Sequence, residues 1–545
     1  MSFKLYEWGA YALRKLRQHP AVGKFIEHNK RVFSQPVPTA RQRVVLLELN
    51  TMQSAHIAYS YLANALATEH QAQIKAYRPG VMDNWRRKLF FNIEKMANRN
   101  EWGVYRSFGV TDFFGIAPTA VQKDKARALY TEIMPRLKTT LDIEALTVNG
   151  VWMGDLIYDT FLMGFKKPTI DRESPVFQGF LLEALEQFVF WQDYFDNNDV
   201  RAVNVSHCVY TLAIPLRIAV QRGIQAYQGN ATHMYRLRPD NLFAYNDFVY
   251  FPERFAALPP DMQAAGIAEA KRRIEKRFAG QVGVDMAYST KSAYGSTRHA
   301  QLLKPSPRKK ILIATHCFFD SPHSYGNNIF PDFYEWLDFL GRMTEEADYD
   351  WYIKTHPDYL PGTKEIIDSF VAKYPRFTLL PADASHHQII AEGIDCALTA
   401  YGTIAFEYAA LGIPVINASQ NNPHIAYDFN LHARDVAHYR ALLTKLERLD
   451  LKIDKEKVYE YYFMRYIFNT ENLFFDNYDA AVNDLGGYEL QFTPTAYSRW
   501  LREWSPEKHR DVAAALLKFI RSGDFRMDYR HYGREFTVKS MERRS

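Results

Sequence analysis

The feature that most limits what this chain can fold into lies between Ile311 and Ile416. Three short apolar runs recur there, each ending in a polar loop. They are Lys309-Lys310-Ile311-Leu312-Ile313-Ala314-Thr315-His316, Trp351-Tyr352-Ile353-Lys354-Thr355-His356-Pro357 and Ala397-Leu398-Thr399-Ala400-Tyr401-Gly402-Thr403. A fourth, Ile413-Pro414-Val415-Ile416, follows Leu411-Gly412. Helix-like stretches separate them. Strands alternating with helices predict βαβ units and a parallel sheet. Such a sheet takes its ligands beyond the carboxyl ends of its strands. His316, His356 and the stretch Thr399 to Thr403 all fall at such ends.

At the third run a strand gives way to a helix. Gly402 lets a ligand approach the backbone closely, and Thr403 is placed to cap the helix. Free N–H groups and the helix dipole at that point suit a phosphate. Glu407 lies four residues on, so it shares a helical face with Thr403, and its carboxylate can accept hydrogen bonds from ribose or sugar hydroxyls. The same residues also fit an ordinary capped helix with a solvated glutamate. At the second run, Lys354 and His356 can neutralise a diphosphate, with Pro357 fixing the turn, and His356 can donate a proton to a leaving phosphate. The plain alternative is a strand end closed by proline.

Lys354-x-His356-Pro357, followed some way on by Gly402-Thr403-x-x-x-Glu407-x-x-x-x-Gly412-x-Pro414-Val415, resembles the C-terminal domain of GT-B glycosyltransferases. The nearest likeness is to bacterial capsule and surface-polysaccharide enzymes: capsular Kdo transferases, polysialyltransferases and CDP-glycerol glycerophosphotransferases. The resemblance spans residues 300 to 430. It implies two Rossmann-like domains facing a cleft, with a C-terminal helix crossing back to the first. It also implies that His356 contacts nucleotide phosphates, that Thr403 and Glu407 bind the nucleotide, and that His316 and Gly402 stand in the same pocket.

A chain of 545 residues is longer than one core usually serves, so two domains are expected. Mean hydropathy is −0.34 and no apolar run reaches the length of a membrane span. The stretch Met1 to Trp8 lacks the apolar core of a signal peptide. Cys208, Cys317 and Cys396 show no metal-ligand spacing and read as reduced, buried thiols of a cytoplasmic protein. A net charge of +5 argues for no nucleic-acid partner. It suits anionic donors, anionic glycan acceptors or an acidic membrane surface.

Taken in order, residues 1–40 form a helical segment. Its part from Leu5 to Arg17 has a basic face that fits either a docked helix or peripheral contact with the inner face of the cytoplasmic membrane. Residues 41–300 form the acceptor-binding domain. Arg43 to Asn50 is a buried strand, and the loop after it places Asn50, Ser54 and His56 at the cleft, although His56 also reads as a helix cap. Residues 83–145 read as mostly helical. Gly150-x-x-x-Gly154-Asp155-Leu156-Ile157-Tyr158-Asp159 resembles surface-carbohydrate synthesis proteins. A helix sets Asp155 and Asp159 on one face, where either serves as general base, as nucleophile, or in a cap and the core. Val200 to Val205 is a strand ending in Ser206-His207. That makes His207 a second candidate base or acceptor ligand, with no adjoining carboxylate in sequence to make a triad.

The linker falls between Tyr294 and Pro307. Residues 301–485 form the nucleotide-sugar domain, where the long loop after His316 offers Asp320, His323 and Asn327 to donor or acceptor. His386 and His387 read as cap, phosphate or surface residues, because neighbours on a helix point about 100° apart and chelate poorly. Residues 486–545 form the returning helical tail. The expected activity is metal-independent transfer of a sugar to a surface polysaccharide or lipid-linked glycan, with a Kdo-like, CMP-activated donor as the favoured instance. No cofactor is expected beyond the nucleotide-sugar co-substrate. A CDP-polyol phosphotransferase of teichoic-acid type and a non-catalytic carbohydrate-binding or assembly protein remain the alternatives.

Overall fold

A computed structural model describes residues 18–33, 43–286, 289–356, 361–448, 451–469 and 472–537. The chain forms two Rossmann-like α/β domains, each built on a six-stranded, mostly parallel sheet. The first sheet uses β1 (Arg43–Glu48), β2 (Gln73–Val81) and β3 (Val110–Ile116). After the hairpin of β4 (Thr147–Val148) and β5 (Val151–Trp152), it adds β6 (Asp199–Val205), β7 (Gln225–Gly229) and β8 (Met234–Leu237). The strand order is β3-β2-β1-β6-β7-β8, parallel except that β8 runs antiparallel to β7. Val44 to Leu47 are at most 2 % exposed, as expected of a strand covered on both faces.

The second sheet holds β9 (Lys310–Ala314), β10 (Asp350–Lys354), β11 (Phe377–Leu379), β12 (Cys396–Thr399), β13 (Val415–Asn417) and β14 (Leu431–His432). Its order is β11-β10-β9-β12-β13-β14, all parallel. The strand order reverses between β1 and β6 in the first sheet and between β9 and β12 in the second. Those are the crevices where such sheets bind ligands.

One strand departs from the sequence reading. Residues 83–145 contain β3, an edge strand paired with β2. Its buried positions are Val110, Phe113 and Ile116, a spacing of three that does not read as a strand. Only pairing with β2 defines it, as strand propensity depends on neighbours.

The chain crosses between domains twice. Going out, the helix Pro260–Phe278 packs with the helices Ile404–Leu411 and Lys455–Tyr462, and Leu302 and Leu303 join the core of the second sheet. Coming back, Phe474, Tyr497, Trp500, Leu516 and Phe519 enter one core with Val45, Leu62 and Phe25 of the first domain. Phe25, from the helix Pro20–Val32, stacks on Tyr497 with ring centroids 4.3 Å apart.

The basic stretch Leu5 to Arg17 lies outside the described residues. No described helix is long and apolar enough to cross a membrane. Cys208 and Cys396 are buried; Cys317 is half-buried.

Candidate functional site

At the β9/β12 reversal a cavity of about 130 Å³ opens, lined among others by His316, Lys354, His356, His386, Gly402, Thr403 and Glu407. Among the described residues, the backbone N–H groups of Thr403 and Ile404 meet no protein acceptor. They begin the helix Ile404–Leu411, so the positive end of its dipole faces the cavity. Thr403 occupies the cap position, but its side chain makes no capping hydrogen bond.

The turn that presents these amides is held by a small network. The Ala400 N–H donates to His316 Nε2 over 3.2 Å, the Thr399 hydroxyl stands 2.9 Å from the same nitrogen, and the Gly402 N–H donates to Thr399 Oγ1 over 3.1 Å. His316 Nε2 therefore carries no proton. Burial, helped by His356, pushes the His316 pKa down to about 3, so its ring is neutral and buttresses the turn.

Lys354 is 2 % exposed. Its Nζ donates to the Ala382 carbonyl over 3.1 Å. Burial pushes its pKa down to about 8, with Asp383 acting in the opposite direction. An anion in the cavity would push it back up. His356, exposed at the cavity wall, lies in the same space. Pro357 falls outside the described residues.

Glu407 is 5 % exposed and already engaged. One oxygen is paired with Arg277 and the other accepts from the Tyr294 hydroxyl over 3.1 Å. Arg277 and Tyr294, with Gln281, Met286 and Ser292, thus build a wall of the cavity from a stretch that reads in sequence as helix end running into linker. His386 belongs to the same wall, its Nδ1 2.7 Å from the Tyr408 hydroxyl. Among the described residues no three His, Cys, Asp or Glu side chains gather closely enough to hold a metal ion.

In the first domain, β6 runs out into Ser206 and His207. Ser206 is 2 % exposed. Its N–H and hydroxyl both donate to Glu48 Oε2, over 2.6 and 2.7 Å. That clamp, at the β1/β6 reversal, fixes the turn that leaves His207 open to solvent. The surrounding protein displaces enough water to lower the His207 pKa, and Asp320 opposes this. Asp320 comes from the second domain, is exposed, and accepts from the Tyr210 hydroxyl over 3.0 Å. Tyr210 holds φ at +65°, costly for a residue with a side chain.

Other expected site residues lie elsewhere. Asp155 is 1 % exposed and forms a two-pronged pair with Arg217, at 2.5 and 3.3 Å. Arg217 is itself buried against the rings of Trp152 and Phe243. Asp159 and His323, also fully buried, face each other at the domain junction. His323 Nδ1 is 2.6 Å from Asp159, and Nε2 is 3.1 Å from Glu144. Burial alone would lower the His323 pKa; the two carboxylates outweigh it and hold it well above the ordinary value. That gives a charged tie between domains in place of a donor contact.

Ser54 and His56 lie under the returning tail. Ser54 Oγ donates to Gln491 over 3.0 Å. His56 Nε2 donates to the Asn50 carbonyl over 3.1 Å, so its Nδ1 accepts from the Tyr497 hydroxyl at 2.6 Å. Burial pushes the His56 pKa down to about 4. Asn50 is half-buried beside it. Asn327 is exposed, and its carbonyl accepts from Asn421 over 2.8 Å.

No model of a known protein family matches the chain, and no curated protein matches it by sequence. Solved structures are similar at low identity. The β-Kdo 2,4 transferase KpsC of Thermosulfurimonas dismutans is 11 % identical, covering 48 % of this chain and 79 % of that one, with a TM-score of 0.30. A UDP-GlcNAc 2-epimerase of Neisseria meningitidis bound to UDP-GlcNAc is 10 % identical over 85 % of this chain and 98 % of its own, at 0.20. The calicheamicin glycosyltransferase CalG4 is 11 % identical over 86 % and 100 %, at 0.22.

Proposed function

We propose that this chain is a nucleotide-sugar-dependent glycosyltransferase whose donor occupies the β9/β12 cavity. The observation that carries the reading is the pair of acceptor-less amides, Thr403 and Ile404, opening into the same cavity as Lys354 and His356. Two directed N–H groups, a helix dipole and a buried ammonium make a site for a diphosphate or monophosphate ester. As the glycosidic bond to the phosphate breaks, the charge developing on the leaving oxygen is met by these groups without reorganisation. Glu407, held by Arg277 and Tyr294, faces the ribose hydroxyls. The acceptor hydroxyl loses its proton to His207, the exposed imidazole across the cleft. The choice of a CMP-activated, Kdo-like donor and a surface-polysaccharide acceptor follows the resemblance of Lys354-x-His356-Pro357 and Gly402-Thr403-x-x-x-Glu407 to the capsule enzymes, a motif set shared with polyol-phosphate transferases.

The test is a thermal-shift and titration series with CMP, CDP, UDP, GDP and ADP, with and without EDTA, on wild type and His356→Ala. Ligand at a hundred times Kd should add about 2.7 kcal/mol of stability. CMP is expected to stabilise, EDTA to make no difference, and the variant to lose most of the shift. Affinity should fall as pH rises through about 8, where Lys354 loses its proton. Stabilisation by CDP in place of CMP would favour polyol-phosphate transfer. No shift with any nucleotide would overturn the reading.

A further inference from the structure

The arginines packed around the domain junction are paired. Arg217, Arg273, Arg277 and Arg526 each carry a carboxylate within 3.3 Å. Arg465 is different. It is half-buried, and among the described residues no carboxylate lies within 4 Å of it. Its guanidinium donates to the Tyr325 hydroxyl over 3.3 Å and lies 5.9 and 5.6 Å from the ring centres of Tyr325 and Tyr245. A guanidinium partly withdrawn from water with no anion beside it keeps its charge unneutralised, and the two aromatic faces supply only a weaker cation–π attraction.

Three further features surround it. Arg465 sits on a π-helical turn, Phe463–Phe468, that continues the helix Lys455–Tyr462; such widened turns gather at functional sites. Tyr245, reaching in from the first domain, holds φ at +71°, a strained backbone that needs support from its surroundings. Tyr325 packs edge-on against Tyr401 at 5.2 Å, and Tyr401 lies 4.8 Å from the His316 ring that buttresses the Gly402 turn. Arg465 is therefore joined to the donor cavity by two rings, and both domains contribute to its surroundings.

We propose that Arg465, with Tyr325 and Tyr245, is a subsite for an anionic oxygen group carried by the sugar substrate, a carboxylate in the first place. This rests on the nucleotide-sugar reading above and adds to it the residue that would read an acid group on the sugar, at a place outside the donor cavity. The planar guanidinium matches a carboxylate in two-point geometry, and Tyr325 supplies a hydroxyl beside it. The group belongs either to the donor sugar or to the terminal residue of the acceptor.

Full-length wild type, Arg465→Gln and Arg465→Lys are titrated calorimetrically with CMP, CMP-Kdo and free Kdo, after melting curves confirm folding. Arg465→Gln should bind CMP as wild type does and lose at least tenfold in affinity for a carboxylate-bearing ligand. Arg465→Lys should lose less. If Arg465→Gln does not fold, Arg465→Lys decides by the same comparison. Loss confined to CMP-Kdo assigns the group to the donor; loss confined to free Kdo assigns it to the acceptor. Equal affinities in wild type and variant, or no binding of either sugar acid to wild type, would overturn the subsite. A wild type that binds free Kdo but not CMP would remove the nucleotide reading and leave Arg465 to be judged on free Kdo.

Discussion

A methyl group at position 402 would meet the Thr399 hydroxyl at 2.8 Å and the His316 ring at 3.4 Å. Neither neighbour can swing away, because each holds the other and the turn between them. Gly402→Ala should therefore destabilise the protein by about 1–3 kcal/mol. Because the strain falls on the turn carrying the Thr403 and Ile404 amides, it should also weaken nucleotide binding about tenfold, a loss near 1.4 kcal/mol. Melting and titration measure both, and unchanged affinity would separate the turn from the site. Gly402, Thr403, Lys354 and His356 were legible in the sequence because strand ends and turn residues are local signals. The partners of Glu407 were not, since Arg277 and Tyr294 arrive from 130 and 113 residues away. His56 shows the reverse error. Its polar loop resembled a site, and a tyrosine 441 residues distant turned it into core.

The helix Gly154–Phe165 illustrates the same division among elements. Its existence and the shared face of Asp155 and Asp159 followed from spacing, and both carboxylates do point inward. What they point at was not readable. Gly154 starts the helix against the preceding turn, where a Cβ would lie 2.1 Å from the Ile143 and Glu144 carbonyl oxygens, so the glycine serves packing. Asp155→Ala should cost about 3–5 kcal/mol, because it strands the buried Arg217 charge. Replacing both by Leu and Met should cost clearly less. Denaturant titration of the three variants tests this, and a single change as mild as the double one would refute it. β3 escaped notice for a related reason: an edge strand takes its identity from the neighbour it pairs with.

For the molecule as a whole, the two sheets were readable from apolar runs and turn residues, and the tail from its helical periodicity. How completely the tail enters the first domain was not. Tyr497, Trp500, Leu516 and Phe519 are at most 2 % exposed in a core shared with Val45 and Leu62. Fully burying one such side chain contributes about 1.5–3 kcal/mol, so their joint loss approaches the whole stability of an ordinary domain. A chain ending at Gly486 should keep the melting transition of the second domain and lose that of the first, as followed by calorimetry and proteolysis. A first domain that still melts cooperatively would contradict this. The arrangement also reverses the usual order of events during synthesis. Domains generally finish folding in the order in which they leave the ribosome. Here the domain made first has to wait, its core open, until the helices that carry Tyr497 to Phe519 have followed the second domain off the ribosome, while the domain made second can complete itself in the meantime.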